Sequence, residues 1–183
     1  MRPQLGKDKI LSAALRLFAE KGYHKTSIAD IARNADVAKG LLYNYYKSKD
    51  ELLLEIISDA SVKMMDMADG MFKQKSYKEN LEYFINNFFG NLIKNRQYFT
   101  FQIGLMFQPD LKVLVAPLLQ QRADNLLSAT KTMFESSSAK SPELAARRFI
   151  SEVDGITLHF LSVYKDYPIL AVKEELYKNY KEL

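Results

Sequence analysis

Residues 26–49 read TSIADIARNADVAKGLLYNYYKSK and predict two short helices joined by a tight turn. In the first half, apolar residues recur at the spacing of one helical face: Ile28, Ile31, Ala32 and Ala35. Ser27 and Asp30 fit the capping pattern that begins a helix. Asn34 and Asp36 then interrupt the apolar spacing, and both residue types tolerate the left-handed backbone of a sharp turn.

A second helix is predicted from about Ala38 to Tyr46, with Val37, Leu42 and Tyr46 facing inward. Its other face presents Lys39, Gly40, Leu41, Tyr43, Asn44 and Tyr45. Two helices joined in this way form a helix-turn-helix, whose second helix can lie in the major groove of DNA. The segment therefore predicts a DNA-reading unit.

The same segment resembles the DNA-binding domain of the tetracycline-repressor (TetR) family of bacterial regulators over about residues 8–53. The residues that carry the resemblance are Gly22, Tyr23, Thr26, Ile28, Asp30, Ile31, Ala32, Ala35, Val37, Lys39, Gly40, Leu42, Tyr43, Tyr46, Lys49 and Leu52. The chain departs from the usual pattern where Asp36 replaces Gly and Tyr46 replaces Phe. Ala38 replaces a common Ser, which removes a side-chain cap from the second helix. Leu41 replaces a small Thr or Ser and lacks the hydroxyl that usually contacts DNA there.

The positive charge of the chain is concentrated in this segment. The whole chain of 183 residues has a formal net charge of +4. Residues 1–50 contain ten Lys or Arg against five Asp or Glu, whereas residues 51–183 contain sixteen against seventeen. A basic surface can be an ordinary solvated helix face, but its coincidence with the helix-turn-helix favours a surface that faces phosphates.

Several classes of function are disfavoured by what the sequence lacks. The absence of cysteine excludes disulfides, thiolate metal sites and a cysteine nucleophile. The chain also has no Gly-rich phosphate loop and no HExxH motif, so we expect no catalysis, no cofactor and no metal site. No apolar run approaches the roughly 18 residues of a membrane span, and the N-terminus does not resemble a signal peptide. A cytoplasmic protein without a membrane partner is therefore expected.

Helical periodicity continues almost to the end of the chain, so the predicted fold class is all-α. Residues 1–47 are predicted to form a three-helix DNA-binding domain, and residues 48–183 a helical bundle for ligand binding and dimerisation. Pro117 is expected to kink or divide a helix. A helix that begins at Ser141 is expected to continue to about Tyr164, and Pro168 to begin the last helix.

The predicted DNA contacts lie in and beside the helix-turn-helix. Lys39 and Gly40 begin the second helix, where they can approach base edges, and the glycine leaves the backbone unobstructed. The hydroxyl of Tyr43, the side chain of Thr26 and the ammonium of Lys49 are expected to bind phosphates. The full set is Thr26, Lys39, Gly40, Tyr43, Tyr45 and Lys49. The alternative is an ordinary solvated surface with aromatic packing.

Aromatic and methionine residues are frequent between residues 64 and 107. They either fill an ordinary core or line an apolar pocket with adaptable methionine walls. The resemblance to the TetR family implies a ligand cavity somewhere in the bundle. The predicted ligand-binding residues are Met64, Phe84, Phe88, Tyr98, Phe101 and Met106.

A homodimer is expected because a single helix-turn-helix has too little surface for tight specific binding. Apolar residues near the C-terminus are spaced like a coiled-coil seam, and the resemblance implies that the last two helices form the interface. The predicted interface residues are Phe149, Val153, Ile156, Phe160, Leu161 and Leu176. The alternative is that both apolar faces of these helices are buried within one subunit.

The sequence therefore predicts a homodimeric transcription factor that binds a double-stranded, palindromic DNA operator. The resemblance implies a repressor that a small hydrophobic or amphipathic effector releases from DNA. A different hypothesis keeps the helix-turn-helix but gives the C-terminal bundle a protein partner instead of a small molecule.

Overall fold

A computed structural model describes residues 2–59 and 76–183 of the chain, with side chains from Gly6 onward. The long helix predicted after Ser48 is described over residues 49–59, and its predicted continuation, including Met64, lies outside the described residues. Regular structure within the described ranges is helical throughout, which confirms the predicted all-α class.

The helices are, in chain order, α1 (Arg2–Lys21), α2 (Ile28–Asn34), α3 (Lys39–Tyr45), α4 (49–59), α5 (Tyr77–Lys94), α6 (Arg96–Met106), α7 (Pro109–Glu135), α8 (Pro142–Leu158) and α9 (Ile169–Tyr180). One π-helical turn, His159–Val163, follows α8 directly. The chain divides into two compact units. The N-terminal unit contains the described residues of 1–60 together with 97–118, and the C-terminal unit those of 61–96 together with 119–183.

Local signals define the helix-turn-helix. The Ser27 hydroxyl accepts a hydrogen bond from the Asp30 amide, and the Asp30 carboxylate accepts one from the Ser27 amide at 3.2 Å, so the predicted capping box begins α2. Asp36 has φ of 55° in the turn between α2 and α3, as the turn chemistry predicts. Gly22, with φ of 85°, follows the last residue of α1.

The core of the N-terminal unit includes part of a helix that is distant in sequence. Phe18 of α1 stacks on Phe101 of α6 with ring centroids 5.9 Å apart. Leu105, Leu111 and Val115 are also buried in this unit. Because Phe18 belongs to the helix that packs on α2, residues 97–118 complete the unit that holds the helix-turn-helix, whereas the predicted domain boundary lay at residue 47.

The C-terminal unit has an aromatic core centred on Phe149 of α8. Its ring contacts those of Phe84, Phe134 and Tyr180 at centroid distances of 5.3, 5.8 and 4.9 Å. The Tyr77 hydroxyl donates to the Tyr180 carbonyl at 2.8 Å, which ties the start of α5 to the end of α9. Edge-to-face aromatic packing of this kind adds to the stabilisation from burial alone.

Two predictions about helix ends need correction. Pro117 was predicted to kink or divide a helix; it lies inside the continuous helix α7, so the division is wrong. Proline removes the hydrogen bond to the Val113 carbonyl, but both residues lie on the exposed side of the helix, where water can solvate that carbonyl. The α-helix from Pro142 ends at Leu158, and the predicted last turn is π-helical. Arg96 donates to the Phe160 carbonyl of this turn at 3.0 Å and stacks on the Phe160 ring.

Among the described residues, each helix is too short or too polar to cross a membrane.

Candidate nucleic-acid interface

The second helix of the helix-turn-helix, α3, buries one residue and exposes most of the others. Leu42 is fully buried and anchors the helix, while Lys39 and Gly40 are exposed. Tyr43 is 46% exposed, and the Lys39 ammonium lies 5.8 Å from the centre of its ring. A Cβ atom added to Gly40 would meet nothing within 4 Å, so the backbone at this position is open to a close approach. The helix thus presents a cation, a phenol and an unobstructed backbone on one surface.

Thr26 is placed differently from its predicted role. Thr26 is 1% exposed, and its hydroxyl donates to the Gly22 carbonyl at 2.8 Å, with the Leu17 carbonyl at 3.2 Å as a second acceptor within reach. A buried hydroxyl with these two acceptors positions the loop before α2 rather than offering a bond to phosphate. The sequence contained one hint: Ser27 already fits the capping box, which leaves the neighbouring threonine without a capping role.

Lys49, at the start of α4, is also engaged inside the unit. Its ammonium donates to the carbonyls of Tyr23 at 2.9 Å and Thr26 at 3.0 Å. The same ammonium lies 4.3 Å from the centre of the Tyr23 ring, within the range of a cation–π interaction. These contacts hold α4 against the loop between α1 and α2, so the geometry favours a positioning role over the predicted phosphate contact.

Tyr23 makes a second link between the same two elements. Its hydroxyl donates to the carboxylate of Asp50, the residue that follows Lys49. Burial, together with this hydrogen bond, raises the pKa of the Tyr23 hydroxyl, so it stays protonated as a donor at neutral pH. Lys49 and Asp50 therefore fix the loop before α2 by its backbone and by its aromatic side chain.

Tyr45 is half-buried and lies against the N-terminal turn of α1. A Cβ atom added to Gly6 would lie 3.6 Å from the Tyr45 hydroxyl, so α1 covers this side of α3. A second contact holds α1 in place: Lys7 forms an ion pair with Glu55 of α4, and this hydrogen bond raises the pKa of Lys7. Of the six predicted DNA contacts, Lys39, Gly40 and Tyr43 share the exposed surface of α3, whereas Thr26, Tyr45 and Lys49 take part in the packing around it.

The predicted ligand-binding residues are divided between the two units. Phe84 and Phe88 are buried in the C-terminal unit and stack in parallel at 5.8 Å. Phe101, Tyr98 and Met106 belong to the N-terminal unit. Phe101 is buried against Phe18, and Met106 is 55% exposed. The described residues of this set thus do not converge within one unit, and Met64 lies outside the described residues.

The predicted dimer residues lie mostly inside the subunit. Leu161 is half-buried. The other five are no more than 9% exposed: Phe149, Val153, Ile156, Phe160 and Leu176. The coiled-coil-like spacing therefore marks the inward face of α8. The opposite face exposes Leu144 to 67% and Leu158 to 39%, with Ser151 and Gly155 between them. Periodicity could identify a packed face but not the partner against which it packs.

Comparison with known proteins agrees with this geometry. The model of the family described as bacterial regulatory proteins, tetR family, matches residues 10–56, which include α2, α3 and most of α1. A protein encoded in the lacX 3' region of Lactococcus lactis subsp. lactis, named as an HTH-type transcriptional regulator, is 28% identical over 94% of this chain and 91% of its own length.

Over residues 10–56 the chain is therefore similar to the DNA-binding region of the TetR family, as its sequence indicates. The fatty acid metabolism regulator protein of Bacillus subtilis (strain 168) is 32% identical over 85 residues, which are 46% of this chain and 44% of that protein. The chain thus matches less than half the length of this curated relative. The crystal structure of the transcriptional regulator FadR from Bacillus subtilis, in complex with stearoyl-CoA, has a TM-score of 0.71 and 20% identity, covering 93% of this chain and 95% of that one.

The described helices, together with the match to the TetR family model, confirm the predicted organisation of an N-terminal helix-turn-helix followed by a helical C-terminal region. TetR-family proteins are regulators rather than enzymes, in agreement with the expectation from the sequence that this chain is not an enzyme.

Proposed function

We propose that this chain is a transcriptional repressor that binds a palindromic DNA operator as a homodimer and releases it when a small hydrophobic or amphipathic molecule binds. The DNA-binding part of the proposal rests on the exposed surface of α3. Lys39, Gly40 and Tyr43 lie together on a helix whose buried face is anchored by Leu42. The surrounding residues 1–50 hold the whole basic excess of the chain. A helix so presented can enter the major groove while basic residues neutralise phosphates.

The proposed dimer uses the outward face of α8. Leu144 and Leu158 are apolar and exposed, and the small residues Ser151 and Gly155 between them allow a second helix to approach closely. To bind two half-sites one turn of duplex DNA apart, the dimer would need its two α3 helices about 34–36 Å from each other. This surface replaces the buried residues that the sequence had indicated.

The effector is proposed to be an amphipathic molecule with a long apolar part. The support is the aromatic content of α5, where Phe84 and Phe88 stack, and the fold shared with a regulator whose structure contains stearoyl-CoA. A ligand that binds the DNA-free form more tightly than the DNA-bound form must weaken operator binding by linkage. Acyl-CoA thioesters are therefore the first compounds to test.

The DNA-binding proposal is tested by selecting a duplex from a random library and measuring its affinity as a function of salt. We expect the selected duplex to bind more tightly than random duplex, with the affinity for both falling steeply as salt rises. Lys39→Ala should reduce discrimination between the two by about 1–3 kcal/mol if Lys39 contacts a base. Lys140→Ala, an exposed lysine in the loop before α8, is the matched control and should bind like the wild type. Equal wild-type affinity for selected and random duplex would refute the proposal.

The effector proposal is tested by adding stearoyl-CoA, with coenzyme A alone as the control. Thermal stability should rise and affinity for the selected duplex should fall over the same range of stearoyl-CoA concentration. A protein that binds the duplex but responds to neither compound would remain a DNA-binding regulator with another effector or a protein partner.

A further inference from the structure

Leu41 is an apolar side chain on the exposed surface of α3. It is 38% exposed, although the helix buries only Leu42. Its immediate neighbours on the exposed surface are Gly40, which has no side chain, and Asn44. An exposed leucine on a helix that faces DNA has no group with which to bind a phosphate, because it neither donates nor accepts a hydrogen bond. On this surface the exposed part of Leu41 can therefore make only apolar contacts.

The position of Leu41 is fixed on one side by α1. A Cβ atom added to Gly6 would lie 4.0 Å from Leu41 Cδ2 and 3.6 Å from the Tyr45 hydroxyl, so Leu41, Tyr45 and the first turns of α1 are close neighbours. A Cβ atom added to the preceding residue, Gly40, would meet nothing within 4 Å. Leu41 thus lies close to α1 and next to the backbone of Gly40, which a duplex can approach closely.

The major groove offers one apolar group at the base edges, which is the C5-methyl group of thymine. We propose that Leu41 is a specificity-determining residue that contacts the methyl group of a thymine in each half of the operator. The inference rests on the proposed function, since it assigns one base preference to the surface that reads DNA. It also gives a physical role to the position where the chain departs from the small hydroxyl residue usual in the TetR family.

The test replaces each thymine of the selected duplex, one symmetric pair at a time, with deoxyuridine. Uracil pairs as thymine does and lacks only the methyl group. Loss of one buried methyl corresponds to about 0.8 kcal/mol, or about a fourfold weaker affinity, so a symmetric pair should weaken wild-type binding about fifteenfold. The effect is expected at one thymine position per half-site.

The decisive comparison uses Leu41→Ala. This variant should bind the thymine and uracil duplexes within about 1.5-fold of each other at the position where the wild type discriminates. Ile93→Ala on α5 is the matched control, since Ile93 is apolar and 42% exposed, and it should keep the full methyl effect. Far-UV circular dichroism and melting of both variants establish that they fold like the wild type.

Two results would overturn the inference. Either the wild type is insensitive to uracil at every thymine, or Leu41→Ala keeps the same sensitivity as the wild type. Both leave the proposed function intact, because selected duplex is still preferred over random duplex. Failure of the wild type to prefer any selected duplex would instead remove the proposed function itself.

Discussion

Substitution of Lys49 can distinguish a positioning role from a phosphate contact. Loss of a positioning residue lowers stability, whereas loss of a phosphate contact reduces the salt dependence of DNA binding. Replacement by methionine keeps the length of the side chain and removes the charge. It would delete two hydrogen bonds, to the Tyr23 and Thr26 carbonyls at 2.9 and 3.0 Å, and the cation–π contact with the Tyr23 ring. Each such bond from a half-exposed ammonium contributes about 1 kcal/mol, and the ring contact about 0.5 kcal/mol.

We therefore expect Lys49→Met to lower the free energy of unfolding by about 2.5 kcal/mol, which for a chain of this length is a fall in melting temperature of about 5–10 °C. The slope of log affinity against log salt should stay unchanged, because the lysine releases no counterion from DNA. Lys39→Met is the matched control. Its side chain is exposed, so stability should change by less than about 0.5 kcal/mol.

Lys39→Met should instead reduce the salt slope if the Lys39 ammonium binds phosphate. The reduction should be about 0.9 for each phosphate that is no longer neutralised, or about 1.8 for a dimer. Unfolding must be compared at one protein concentration, since the stability of a dimer depends on it. A Lys49→Met protein with wild-type stability and a reduced salt slope would refute the reasoning. That result would mean that, on DNA binding, the Lys49 ammonium leaves the Tyr23 and Thr26 carbonyls and binds a phosphate instead.

Tyr46→Phe should leave stability unchanged or raise it by about 1 kcal/mol in denaturant unfolding, because the Tyr46 hydroxyl is buried with no hydrogen-bond partner in the described part of the chain; a clear loss of stability would reveal a partner for it. Leu158→Glu should give folded monomers in sedimentation experiments, and a fully dimeric Leu158→Glu protein would place the interface elsewhere. Phe149→Ala, in contrast, should lower the free energy of unfolding by about 3–5 kcal/mol through loss of the aromatic core. Hydrogen bonds from Ser27 hold the pKa of the Asp30 carboxyl below its usual value, so Ser27→Ala should raise that pKa in an NMR titration. Since a lowered pKa gives stability that is present above the unfolded-state value of about 4 and lost as pH falls through the folded-state value, the variant should also show a weaker loss of stability in acid.

The helix-turn-helix could be predicted because its signals are local. The capping box of Ser27 and Asp30, the left-handed turn at Asp36 and the buried Leu42 each depend on residues a few positions apart. Local backbone geometry and side-chain capping are encoded by such neighbours, so residues 26–46 indicated the helix-turn-helix and the exposed surface of α3. The exposed side chains of Lys39 and Tyr43 followed directly from that geometry.

Residue roles that depend on distant contacts could not be predicted in this way. Thr26 and Lys49 are both polar residues beside a helix start, where a phosphate contact and an internal hydrogen bond have the same sequence pattern. Only the folded arrangement brings the Lys49 ammonium to the carbonyls of Tyr23 and Thr26. Likewise, no local signal joins Phe101 to Phe18, which stack across a long separation in sequence.

The C-terminal helices show the same limit for apolar residues. The sequence by itself determined that α8 has a continuous apolar face, since residues spaced four and three apart lie along one side of a helix. Tertiary structure decided that this face, with Phe149 and Val153, packs inside the subunit and that Leu144 and Leu158 face outward. The physical reason is that burial of apolar surface is non-directional: periodicity specifies that a face must leave water, and only the packing of the whole chain specifies which surface covers it.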